Sequence, residues 1–191
     1  MARGIFITGT DTGVGKTLVS SAIIRLLLKQ NQAVFAAKPL ATGSEKQADC
    51  TLRHGDVAQM AEALGGKPVW VGFESPHPAA PSVAARWEGK QLDLMQMAKD
   101  LKFAIPDGHF AVVEGAGGLL CPAGPGISIA DLARLVRDIV SPEKQVHVKS
   151  QLLADNVFRH RYIPDISKAK LDLGLEITVP LAEAIRLSVS R

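Results

Sequence analysis

The chain has 191 residues, 47% of them hydrophobic and 21% charged, and a formal net charge of +3; that length suits one substantial core or one and a half, since domains usually run to about 100–200 residues. The balance excludes a disordered or fibrous chain, and so small a charge, with no Lys/Arg run and no interleaved aromatics, gives no reason to expect a nucleic-acid partner. Apolar stretches near the N-terminus are broken by Lys16, Ser20 and Arg25, far short of the ~20 residues that span a bilayer, and no signal-type leader precedes them, so no membrane partner and a cytoplasmic location are expected.

Taken in order, Gly4-Ile5-Phe6-Ile7 reads as a buried strand, residues 9–17 as a Gly-rich turn, and residues 16–30 as a helix. The turn is Gly9-Thr10-Asp11-Thr12-Gly13-Val14-Gly15-Lys16-Thr17. Strand, glycine turn and helix in that order are what a nucleoside triphosphate needs. Backbone N–H groups of Gly13, Val14 and Gly15 surround the phosphates above a helix N-terminus, Lys16 adds charge, and the Thr17 hydroxyl suits Mg²⁺. Gly9 lies six residues before Gly15, and the strict spacing of five falls on Thr10. A turn with only a packing role is the plainer reading.

Ala33-Val34-Phe35-Ala36-Ala37 reads as the next strand, completing a βαβ unit. A weaker helix follows around Asp56 to Leu64, then a strand over Pro68-Val69-Trp70-Val71-Gly72-Phe73. Pro76, Pro78 and Pro81 make residues 74–82 a loop. A helix near residues 91–103 leads to the strand Phe110-Ala111-Val112-Val113, which ends in Glu114-Gly115-Ala116-Gly117-Gly118. Near-continuous apolar strands alternating with helices predict an α/β fold with a parallel sheet covered on both faces. Glu114, at the carboxyl end of such a strand, stands where parallel sheets place ligands. After Pro125-Gly126 the character changes: a helix over about 129–140, then the alternating Gln145-Val146-His147-Val148-Lys149, a short helix capped by Asp165 or Ser167 and stopped by Gly174, and a last helix opened by Pro180.

Cys50 and Cys121 are too few and too far apart for a disulfide framework and read as free thiols. His54, His77, His109, His147 and His160 show no ligand spacing and read as surface residues.

Four strings in the first 126 residues together resemble dethiobiotin synthetase, the ATP-dependent enzyme of biotin synthesis. They are the turn at 9–17, Lys38-Pro39-Leu40-Ala41-Thr42-Gly43, the loop ending Ala80-Pro81-Ser82-Val83-Ala84-Ala85, and Val113-Glu114-Gly115-Ala116-Gly117-Gly118. The turn, long first spacing included, is similar to that family's version, and it is shared with relatives such as the cobyric acid synthase group. The resemblance implies a P-loop NTPase-type parallel sheet and formation of the dethiobiotin ureido ring from 7,8-diaminopelargonic acid, CO₂ and ATP. It implies ATP as co-substrate with Mg²⁺, a small-molecule substrate and a homodimer. It places Lys16, Lys38 and Thr12 among the catalytic residues, Thr17, Asp56 and Glu114 on the metal side, and Thr42, Gly117 and Gly118 beside the substrate. Read from the residues alone, the plain alternatives are a solvated strand end for Lys38, a turn residue for Thr42, a helix N-cap for Asp56 and a structural carboxylate for Glu114, the last the hardest to sustain at a strand end followed by glycines.

Beyond about Ile127 that pattern stops. Ile127-Ser128-Ile129-Ala130-Asp131-Leu132-Ala133 and the run Arg161 to Leu175 resemble the C-terminal segment of nucleotide-sugar epimerases and dehydratases of the extended short-chain dehydrogenase family. The Tyr-x-x-x-Lys pair of that family is missing, since Tyr162 is the one tyrosine and Ile166 stands four residues on. The expectation is therefore a nucleotide-binding domain over residues 1–126 joined to an atypical α/β segment over 127–191 of separate origin. A nucleotide-binding module without turnover, or a synthetase of the cobyric acid group, are the other readings.

Overall fold

Alternate residues of the central strands enter two separate apolar layers, and this period of two sets the frame. The structure, a computed structural model, describes residues 3–143. The first elements are β1 (Arg3–Ile7), α1 (Lys16–Lys29), β2 (Val34–Ala37), β3 (Leu40–Thr42), β4 (Glu45–Lys46), β5 (Leu52–Arg53) and α2 (Gly55–Ala63). They are followed by β6 (Phe73–Ser75), α3 (Pro81–Trp87), α4 (Leu94–Ala104), β7 (Phe110–Glu114), β8 (Pro122–Gly124), β9 (Ile127–Ser128) and α5 (Ile129–Val140).

β7 lies between β1 and β2, parallel to both, with Ile7 opposite Glu114 and Ala37 opposite Val113. Its Ala111 and Val113 face a layer filled by α3, α4 and α5, including Leu94, Leu101, Ile129 and Leu132. Its Val112 faces the other layer, where Ile24 of α1 and Met60 of α2 pack. The expected parallel sheet with helices on both faces is thus present. β3 and β6 extend it beyond β2: Ala37 bridges Trp70 and Leu40 pairs with Phe73, each pair 33 residues apart, so one register survives the break between them. Pro39 sits at that break and has no N–H for a ladder.

Local signals explain the helices. Asp93 caps α4 by accepting from the Gln96 N–H at 2.9 Å. Ser128 and Asp131 form a reciprocal capping box at the start of α5. Pro81 opens α3 as a first-turn proline.

Two sequence expectations are corrected. The strand placed over 68–73 holds only the Trp70 bridge and Phe73, the first residue of the regular strand β6 at 73–75. The loop placed over 74–82 contains the rest of β6 and the first turn of α3. The expected tail elements at Gln145–Lys149, around Asp165 to Gly174 and from Pro180 lie outside the described residues, as does the epimerase-like run from Arg161 to Leu175. Among the described residues no helix is long and apolar enough to cross a membrane.

α5 lies C-terminal to residue 126, yet Ile129, with 0% exposure, reaches to where a Cβ on Gly115 would stand. Ile129→Ala should therefore cost about 2–5 kcal/mol in urea unfolding of the whole chain; a loss below about 1 kcal/mol would show that α5 is not part of the cooperative unit.

Candidate active site

The loop between β1 and α1 is shaped by its glycines. Gly15, the N-cap of α1, has φ 93° and supplies no side-chain acceptor, so the first N–H groups of α1 are left without a capping side chain, the condition in which a helix N-terminus takes an anion. Within the loop, Asp11 Oδ1 accepts from the Thr12 N–H at 2.7 Å, and Lys16 Nζ donates to the Asp11 carbonyl at 2.6 Å.

Sheet register brings the next group together. Because Ala37 pairs with Val113, Lys38 and Glu114 leave their strands side by side. Lys38 Nζ donates to Glu114 Oε1 at 2.6 Å and also to Asp56 Oδ2. Thr17 Oγ1 donates to the same Glu114 oxygen at 2.9 Å, and Ser20 Oγ donates to Glu114 Oε2 at 2.5 Å. The Glu114 side chain is 0% exposed, that of Lys38 3% and that of Asp56 39%. Two carboxylates against one ammonium leave this group, buried at Lys38 and Glu114 and open at Asp56, with an excess of negative charge on hard oxygen atoms.

A cleft of about 630 Å³ opens beside the loop. Thr12, Thr42, Gly117 and Gly118 all line it, with Pro81 and Cys121. The glycine run after β7 is laid against the phosphate loop: Gly115 N–H donates to the Ile7 carbonyl at 2.9 Å and Leu119 N–H to the Gly9 carbonyl at 2.8 Å. A Cβ on Gly118 would fall 2.4 Å from the Thr10 carbonyl oxygen, so glycine is what lets the two loops touch. Burial pushes the Cys121 thiol up, against the pull of Lys16, which disfavours a thiolate there. Cys50 and Cys121 are both free.

The expected residues thus form three sets: Gly13, Val14, Gly15 and Lys16 in the loop itself, Thr17, Lys38, Asp56 and Glu114 in one hydrogen-bonded cluster, and Thr12, Thr42, Gly117 and Gly118 on the cleft wall. Lys38 is not a solvated strand end. Asp56 is not the N-cap of α2; His54 is, its side chain accepting from the Asp56 N–H. Nor is His54 a surface residue, for its side chain is only 11% exposed. Sequence reasoning missed Ser20, Asp11 and His54. Ser20 had a signal, a polar residue three positions after Thr17 and so on the same helix face; His54 had none stronger than its place two residues before Asp56.

Comparison with known proteins gives this geometry a lineage. A family model described as an AAA domain matches residues 3–161. The chain belongs to that AAA domain family. Proteins named ATP-dependent dethiobiotin synthetase align with it: that of Yersinia pestis is 34% identical over 135 residues, covering 69% of this chain and 55% of the relative. The protein of Thermodesulfovibrio yellowstonii is 34% identical over 143 residues (73% and 59%), and that of Anaeromyxobacter dehalogenans 38% over 135 residues (69% and 58%). The AAA domain of this chain is therefore a dethiobiotin synthetase-like segment, and the chain spans well under two thirds of the length of these relatives.

Burial works against ionisation of Asp56, but the Lys38 ammonium, helped by Thr17, outweighs it and holds the carboxyl below the usual carboxylate range. A carboxylate depressed in the folded state adds stability that is complete above its unfolded value, about 3.9, and is lost as pH falls through the folded value. Asp56→Asn should then lower Tm at neutral pH and make the acid side of the Tm profile shallower, with the two proteins converging at the acid extreme; parallel profiles would remove the ion pair from the stability of the fold.

Proposed function

We propose that this chain binds ATP with Mg²⁺ on the loop Gly9–Thr17 and closes the ureido ring of dethiobiotin from 7,8-diaminopelargonic acid and CO₂. The observation that carries the reading is the Lys38, Asp56, Glu114 and Thr17 cluster, joined through Thr17 to a glycine loop whose Thr10, Asp11 and Thr12 line the cleft. The dethiobiotin synthetase relatives support it.

In this reading Gly13, Val14 and Gly15 present backbone N–H groups to the phosphates, and Lys16 exchanges the neutral Asp11 carbonyl for a charged phosphate oxygen, a stronger acceptor. Thr17, Asp56 and Glu114 would hold Mg²⁺: two carboxylates and a hydroxyl are the hard donors this ion prefers, and their negative charge, only partly offset by Lys38, suits a cation. Bound there, the metal would spread the negative charge of the phosphates during transfer. Thr12, Thr42, Gly117 and Gly118 hold the diamine in the cleft. An amine carbamylated by CO₂ attacks the γ-phosphate and releases ADP; the second amine then closes the ring with loss of phosphate. Lys16 and Lys38 supply fixed positive charge where the carbamate and phosphate meet.

The same proposal includes a homodimer, and a change of sequence origin near residue 126 that separates 1–126 from 127–191. β9 and α5 come from the second segment and pack on the first. A nucleotide-binding module without turnover is the competing reading, favoured by the 55–59% of the relatives' length that the chain spans.

Turnover separates the two. The reaction predicts ADP release by the purified chain that depends on both diaminopelargonic acid and bicarbonate; no release leaves the binding module, and release indifferent to the diamine makes the chain an ATPase and removes the diamine as substrate. Lys16→Ala should weaken ADP in calorimetric titration at least about tenfold, and an unchanged affinity would reduce the loop to a turn. Glu114→Gln should weaken ADP in the presence of Mg²⁺ while nearly sparing metal-free ADP, whereas equal losses would make the carboxylate structural.

A further inference from the structure

The chain leaves the sheet at Thr42, runs through β4 and β5, and re-enters the site at His54 and Asp56. β4 and β5 are two residues each, paired only with one another and largely exposed. So short a hairpin is marginal in water and has little power to fix Asp56 relative to Thr42. His54 does so directly. Its Nε2 lies 3.0 Å from the Thr42 carbonyl oxygen, and its Nδ1 lies 3.2 Å from the Asp56 backbone nitrogen. A carbonyl only accepts and a backbone N–H only donates. Both contacts are therefore made by a single neutral tautomer, with the proton on Nε2 and a bare Nδ1. The Asp56 carboxylate is in turn bonded to Lys38, and its Oδ2 stands 3.9 Å from Nδ1. One largely buried ring thus spans from the end of β3, on the cleft, to the first turn of α2, on the carboxylate cluster.

We propose that His54 is a positioning residue that ties Asp56, on the metal and phosphate side, to Thr42, on the substrate side, so that the two halves of the site keep a fixed separation. The assignment of those two sides rests on the function proposed above. The histidine does no chemistry of its own; it joins the two ends of the excursion directly.

Two variants separate its two bonds. In His54→Asn the side chain still caps α2, because Asn is among the best N-caps, but its shorter amide ends before Thr42. In His54→Ala both bonds are lost. For the Asn variant we expect ADP affinity in the presence of Mg²⁺ to stay within about twofold of the parent, while KM for diaminopelargonic acid rises about fivefold, the size of one lost hydrogen bond. For the Ala variant we expect that affinity to fall about fivefold as well. An unchanged KM in the Asn variant, or equal losses of nucleotide affinity in both variants, overturns the proposal. Ring ¹⁵N NMR of the full chain in mildly alkaline buffer supplies a readout free of activity: protonated Nε2 with bare Nδ1 is expected, and an Nδ1–H tautomer overturns the proposal. If the parent chain fails to turn over the diamine, the proposed reaction falls, while the tautomer and the nucleotide titrations still decide the role of His54.

Discussion

The register that sets Ala37 against Val113 also sets Lys38 against Glu114, at the carboxyl ends of adjacent parallel strands, with almost no water on either charge. A charge in that position is tolerated only if it is paired and its remaining hydrogen-bonding capacity is used. Glu114 meets the condition completely, since Lys38 and Thr17 donate to one oxygen and Ser20 to the other. Lys38 meets it with the Asp56 carboxylate. Removing Lys38 would strand Glu114 as an unpaired buried charge, a loss of about 3–5 kcal/mol, so this lysine ties the sheet to the helix that follows the glycine loop.

From that pair the placement of two helices follows. Thr17 and Ser20, three residues apart on α1, both reach Glu114, which fixes the rotation of α1 about its own axis as well as its distance from β7. α2 is fixed from its first turn, where Asp56 meets Lys38 and His54 caps the helix. Met60 and Ala63 then continue into the apolar layer that Ile24 of α1 shares. Polar contacts thus set the orientation of both helices at their N-terminal ends, and hydrophobic burial supplies most of the cohesion further along.

What was legible in the sequence was what repeats or what chemistry restricts. β2 and β7 are apolar runs buried along nearly their whole length, β1 is an apolar run buried only at its carboxyl end, with Ile5 exposed where a buried strand was expected, and α1, α2, α4 and α5 carry helical periodicity, so all of these were expected close to where they lie. The short pieces were not. β3, β4, β5, β8 and β9 have two or three residues each, too few for a period to show. α3 was hidden because three prolines around it read as a loop, although Pro81 in its first turn is a normal way for a helix to begin. β6 was placed too early because Pro39, on the neighbouring strand, interrupts the pairing that Trp70 begins; nothing in residues 68–75 themselves records that break. In the site, Thr17 was found from the glycine-turn motif and Glu114 from its place at the carboxyl end of an apolar strand, whereas Lys38 and Asp56 came only with the family resemblance. His54 was passed over because a capping histidine carries no spacing signal, and its second bond spans twelve residues through a hairpin with no pattern of its own.

The two lysines of the site are held in different ways, and this bears on what each can do. Lys38 donates to two carboxylates and has 3% of its side chain exposed; moving it would leave Glu114 without its counter-charge inside the protein. Its charge is part of the scaffold. Lys16 is also largely buried, but among the described residues its ammonium is held by a neutral acceptor, the Asp11 carbonyl in its own loop. Exchanging that carbonyl for an anionic oxygen gains a charge-assisted bond and strands no charge. Of the two cations, Lys16 is therefore the one that can turn to an anion without stranding a charge, while Lys38 holds the acidic groups of the cluster in place.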